Sequence, residues 1–141
     1  MILMKKAVII LGVAISILLT TFACKKKSTP ISTPAELLAS NSQKSWQIEK
    51  LYINDTLYAL TNEQKSYSKT YSRDSSFIDS DGIGGRYVLN SAGNIIKETV
   101  LSGGTGTLTY TVETLNNNTL ILRLISDGTS SLNNQFHFRA K

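Results

Sequence analysis

Hydroxyl-based nucleophilic catalysis needs a histidine base and an acid to orient it. This chain has one histidine, His137, set between Phe136 and Phe138 in the segment Asn134–Arg139. In a strand, alternate side chains point to opposite faces. The two phenylalanines then share one face, and His137 reads as an exposed strand residue. No Gly-x-Ser-x-Gly segment singles out a serine nucleophile. Glu98 and Glu113 are a second candidate, because two carboxylates facing one cleft can act as a glycosidase-type acid and base. Nothing in the pattern sets them across a cleft, and both are expected to point to solvent. Asp79-Ser80-Asp81-Gly82 begins as a calcium loop does, but the bidentate Glu such a loop needs at its far end is replaced by Val88. It reads as a turn. Gly103-Gly104-Thr105-Gly106 lacks the Lys-Ser/Thr of a phosphate loop, so its glycines are expected to serve a positive φ or a close backbone approach at a barrel corner. The single cysteine excludes an intrachain disulfide and a cysteine-based zinc cluster. The residues therefore predict no catalytic centre, no metal site and no cofactor, and the chain is read as non-enzymatic.

That cysteine, Cys24, sits where a leader ends. Lys5 and Lys6 precede an uncharged run from Ala7 to Leu19. As a helix this run spans about 20 Å, short of a hydrocarbon core of about 30 Å. A single transmembrane anchor is the alternative, with Lys25–Lys27 as its cytoplasmic flank, but the lysines at the other end oppose that orientation. Thr21-Phe22-Ala23-Cys24 resembles the bacterial lipobox, with Thr21 where such signals usually carry Leu. The resemblance implies that residues 1–23 are a signal peptide and that the Cys24 thiol carries a diacylglyceryl group, with an amide-linked acyl chain such as palmitate beside it. Several acyl chains would anchor the protein stably. Residues 24–34 then form a flexible tether, polar and holding both prolines of the chain.

The chain has 141 residues and a formal charge of +5. The excess belongs to the leader and tether, because Ala35–Lys141 holds ten basic and ten acidic residues. A neutral domain lacks the electrostatic footprint of nucleic-acid binding. The expected partners are the membrane, through the anchor, and either a small hydrophobic ligand or an envelope protein.

Residues 35–141 are long enough for one domain. Thr33, Pro34 and Glu36 have the N-cap, first-turn proline and capping-box spacing of a short helix. Leu37 and Leu38 in it could plug one end of a domain. After it the sequence reads as short strands. Trp46 and Ile48 alternate with polar residues, then Leu51 and Ile53 continue on the other parity, as across a β-bulge. Asn54-Asp55 predicts a turn into Thr56–Leu60. Ser66–Arg73 reads as an edge-like strand and Ser75–Ile78 as another, and Gly84-Gly85 prolongs a bend. Arg86–Leu89 and Ile95–Leu101 flank the turn Asn90–Asn94. Leu108, Tyr110 and Val112 share a face, as do Leu120, Leu122 and Leu124, and Phe136 and Phe138. Asp127-Gly128 reads as a further turn. Period-two patterning with Asn and Gly turns at close spacing predicts an all-β, antiparallel up-and-down barrel of seven to eight strands, with a β-sandwich as the alternative. Its interior or core is expected to take Trp46, Ile48, Leu108, Tyr110, Leu120, Leu122, Phe136 and Phe138.

The lipobox leader, the Leu37-Leu38 segment before Trp46-Gln47-Ile48, the span Phe77 to Gly82, Gly93-Asn94, Gly104-Thr105-Gly106 before Leu108 and Tyr110, and the late leucine strand together resemble the lipocalin-like lipoproteins of Bacteroidota. Members often carry Gly-Thr-Trp where this chain has Gly-Thr-Gly, leaving that end without an aromatic plug. The resemblance implies a small antiparallel barrel with an internal cavity and no catalytic residue. In such lipoproteins acidic residues after the cysteine mark export to the cell surface. Lysines follow it here, so the expected place is the cell envelope, at the outer membrane and facing the periplasm. Asp55-Thr56-Leu57 also resembles the short O-glycosylation signal of that group, which would require Thr56 to be exposed. A protein-interaction module is the alternative function, with Ser66–Arg73 as its expected contact.

Overall fold

The computed structural model describes residues 32–126 and 133–141. The expected signal peptide, Cys24, most of the expected tether and the expected Asp127-Gly128 turn lie outside these residues. The elements are a helix α1 (Pro34–Ala39) and strands β1 (Gln43–Ile53), β2 (Thr56–Tyr58), β3 (Ser68–Ser72), β4 (Ser76–Asp79), β5 (Gly84–Leu89), β6 (Ile95–Ser102), β7 (Gly106–Leu115), β8 (Thr119–Ser126) and β9 (Asn134–Ala140). Each strand from β3 onward pairs antiparallel with the next, β1 pairs with β3, and β9 returns to β1. Strands β1 and β3–β9 thus close an eight-stranded antiparallel barrel, while β2 folds back on the far half of β1. One sheet closed on itself is a barrel and not a sandwich.

Local chemistry sets the corners. Asn54 and Asp55 adopt φ of 49° and 63°, the paired left-handed conformation of a two-residue hairpin turn that Asn and Asp tolerate. Asn90 Oδ1 accepts the backbone N–H groups of Asn94 and Ile95, and Asn116 Oδ1 those of Asn118 and Thr119. Each asparagine thereby closes the turn that follows it. The helix starts as its residue types require, with Thr33 accepting from the Glu36 amide at 3.3 Å and Glu36 accepting from the Thr33 amide at 2.8 Å.

Two expectations need correction. Ser66–Arg73 is no edge: β3 lies between β1 and β4, and its Lys69 and Tyr71 are buried. Its polar composition hid an inward face of Tyr67, Lys69 and Tyr71. Gly84 and Gly85 do not prolong a bend but begin β5 at a register shift against β6. A Cβ on Gly85 would stand 2.0 Å from the Thr99 carbonyl oxygen, so the bulge needs glycine there.

The two ends of the barrel differ. Helix α1 lies at the end where β1 begins and β9 finishes, and there Leu38, Ala39 and Trp46 are wholly buried. The Trp46 indole N–H donates to the Leu38 carbonyl at 2.9 Å. The Lys44 ammonium donates to the carbonyls of Leu37 and Asn117 at 3.0 and 2.8 Å, tying the helix to the β7–β8 turn. At the opposite end the wall is incomplete.

Candidate functional site

The gap in the wall originates in β1. Its pairing with β9 shifts register between Ile48 and Lys50, a bulge that turns Leu51 to the side of the preceding Trp46 and Ile48. Its pairing with β3 ends at Gln47 and Ser68, with one further bond of 3.0 Å from the Ile48 amide to the Tyr67 carbonyl. From Leu51 on, β1 pairs with β2 instead. Residues 59–67 cross the opening. They are held by reciprocal bonds, Thr61 N–H to Gln64 Oε1 at 2.9 Å and Gln64 N–H to Thr61 Oγ1 at 3.2 Å.

Between this crossing segment and the barrel lies a pocket of about 310 Å³. Ile48, Leu51, Leu60, Tyr67 and Phe136 form its apolar part, and Glu63, Gln64 and Asp81 its polar part. A second recess at the same end borders Gly104, Thr105 and Gly106, where the aromatic plug is absent.

Beneath the mouth the barrel is filled. Phe136 packs edge-on against Tyr110 with ring centroids 6.3 Å apart, and the Lys69 ammonium lies 5.3 Å from the Tyr110 and Phe77 rings. Lys69 donates to Glu98 at 2.8 and 3.1 Å, and the Tyr71 hydroxyl donates to the same carboxylate at 2.6 Å. Glu98 is fully buried. Burial alone would pull the Lys69 ammonium down, but the charge and hydrogen bond of Glu98 together with Tyr67 and Asp79 outweigh it and hold lysine above its ordinary range. Burial, reinforced by the Glu98 charge, pushes the Tyr71 and Tyr110 phenols well up. A buried ion pair is retained only where its remaining lone pairs are satisfied, and here Tyr71 supplies the third donor to Glu98. No buried side-chain polar atom among the described residues lacks a partner. The trio acts as a polar rivet through the core.

Of the residues the sequence singled out, Trp46, Ile48, Tyr110, Leu120, Leu122 and Phe138 are buried, and Leu108 and Phe136 are partly buried against them. Only Ile48 and Phe136 of these line the mouth pocket. Thr56 is exposed. Glu98 does not point to solvent as expected, and Glu113 lies exposed on the outer wall, so the pair shares no cleft. Glu113 joins an external network instead, with Arg123 and Gln135 donating to it and Arg123 reaching Asp55 at 3.2 Å. His137 is half-buried rather than exposed, 5.0 Å from the Tyr52 ring and bonded to Gln135 at 2.7 Å. Burial and the nearby Lys50 charge lower its pKa. Asp79 closes its own turn: Oδ1 accepts from the Asp81 and Ile83 amides, and Oδ2 from the Tyr67 hydroxyl at 3.0 Å. That carboxylate holds the mouth in shape.

Sequence reasoning missed Lys69, Tyr71 and the rim residues Glu63 and Gln64. A signal for the first two existed, since Lys69 stands between Tyr67 and Tyr71 at strand spacing, as Glu98 stands between Ile96 and Val100. Comparison with known protein families and with curated proteins finds no match to this chain.

Proposed function

We propose that this chain is a lipid-anchored protein of the bacterial cell envelope, held by Cys24 at the outer membrane and facing the periplasm, whose barrel takes one small, largely apolar ligand at its mouth without transforming it. The observation that carries the ligand reading is the mouth pocket, with its apolar part, few polar groups and a rim braced by internal hydrogen bonds. Its volume of about 310 Å³ sits near the bottom of the range, about 300–1,000 Å³, that small-ligand sites occupy. The leader sequence supports the anchor. A second reading, a protein-interaction module, draws support from β2 rather than from β3. Among the described residues strand β2 has β1 as its one strand neighbour, and its Leu57 and Tyr58 are 59% and 43% exposed.

Native mass spectrometry of the full chain, extracted from membranes, tests both. The expected result is the acylated mass plus a small adduct lost on denaturation, with acylation abolished in Cys24→Ser. An acylated chain without adduct but with a stoichiometric protein partner favours the module. An unacylated chain overturns the anchor.

A further inference from the structure

The rim of the mouth pocket is electrostatically one-sided. Glu63 and Asp81 are exposed carboxylates, and neither has an ion-pair partner among the described residues. Neither the lysine of the crossing segment nor that of β3 lines the pocket. Lys65 lines the neighbouring outer groove with Lys50 and Tyr58, and the Lys69 ammonium is held by Glu98. The Tyr67 hydroxyl donates its hydrogen bond to Asp79, and Gln64 Oε1 accepts from the Thr61 amide. A ligand head group entering here therefore meets two negative charges and no free cation among the described residues.

We infer that the mouth pocket selects a small amphiphile with a protonated amine, its ammonium at Glu63 and Asp81 and its apolar body against Ile48, Leu51, Leu60 and Phe136. This rests on the mouth-binding reading above and adds the ligand class. A carboxylate head would bring a like charge to the same rim and is disfavoured. The pocket volume suits a single ring or a short chain rather than a long acyl chain.

The test uses the full chain in phosphatidylcholine nanodiscs, with methyl NMR shifts of Ile48, Leu51 and Leu60 read during titration with hexylamine, hexanol and hexanoate at neutral pH. Hexylamine is expected to bind saturably, about tenfold tighter than hexanol, with hexanoate weakest. The E63Q/D81N variant should bring hexylamine to the level of hexanol, and because both side chains are exposed the barrel stays folded. Hexanoate binding as tightly as hexylamine, or undiminished amine binding to E63Q/D81N, overturns the amine selectivity while leaving the mouth site standing. Absence of saturable methyl shifts with all three probes overturns the mouth site and the selectivity together.

Discussion

The helix-capped end and the mouth are built from the same alternation of inward residues, yet they finish differently. At the capped end Leu38 and Trp46 have no exposed surface, the indole N–H meets the Leu38 carbonyl, and the Lys44 ammonium joins the helix at Leu37 to the β7–β8 turn at Asn117. At the mouth Leu60, Tyr67 and Phe136 keep part of their surface, and the bonds bracing the rim are mostly between near neighbours. Groups wholly buried and satisfied within the fold fix one packing, whereas groups left facing a recess can be satisfied by something else. The difference assigns stability to the capped half and the deep polar trio, and leaves the mouth as the place for the proposed ligand.

Breaking the capped end should have the largest effect. Trp46→Ala is expected to cost about 3–5 kcal/mol, the range for removing a buried aromatic side chain, measured by urea unfolding followed by far-UV circular dichroism. A cost below about 1 kcal/mol would erase the contrast between the ends.

The middle layer is tested by alkali. Tyr71 and Lys69 are both held protonated more firmly in the folded state than in the unfolded chain. Their contribution is complete below the unfolded values, about pH 10, and is lost as pH rises from there through the higher folded values. Stability should therefore fall steeply above about pH 10. Tyr71→Phe should cost about 1.5–3 kcal/mol at neutral pH, as expected for a hydrogen bond to a charged group. It should also make the alkaline decline shallower, read as urea midpoints across pH. An unchanged alkaline slope would remove Tyr71 from this layer.

The smallest stability effect belongs to the mouth. Leu60→Ala is expected to cost about 1 kcal/mol or less, because its side chain is only partly removed from water, while weakening hexylamine binding severalfold in the methyl titration. A stability loss equal to that of Trp46→Ala would show that the mouth is structural.

The strands were legible where alternation involved apolar residues, as in Leu120, Leu122 and Leu124, and so were the capping box at Thr33 and the parity change after Ile48. Lys69 and Glu98 were not, because a charged residue at an inward register position reads as solvent-facing until its counter-ion is known. That counter-ion lies on another strand, and no local pattern encodes the pairing. The mouth was equally hidden. It depends on where β1 exchanges β3 for β2 as its neighbour, and on Glu63 and Gln64 in a connection without strand periodicity.

The pairing of β1 with β9 joins the beginning and the end of the domain. Contacts between such distant segments require closing a loop of nearly the full domain length, and such topologies fold slowly. Until the seven residues of Asn134–Ala140 are in place, β1 and β8 each lack one neighbour. The barrel therefore stays open along one side until this strand docks, and closure is a single step that joins β1 and β8 at once.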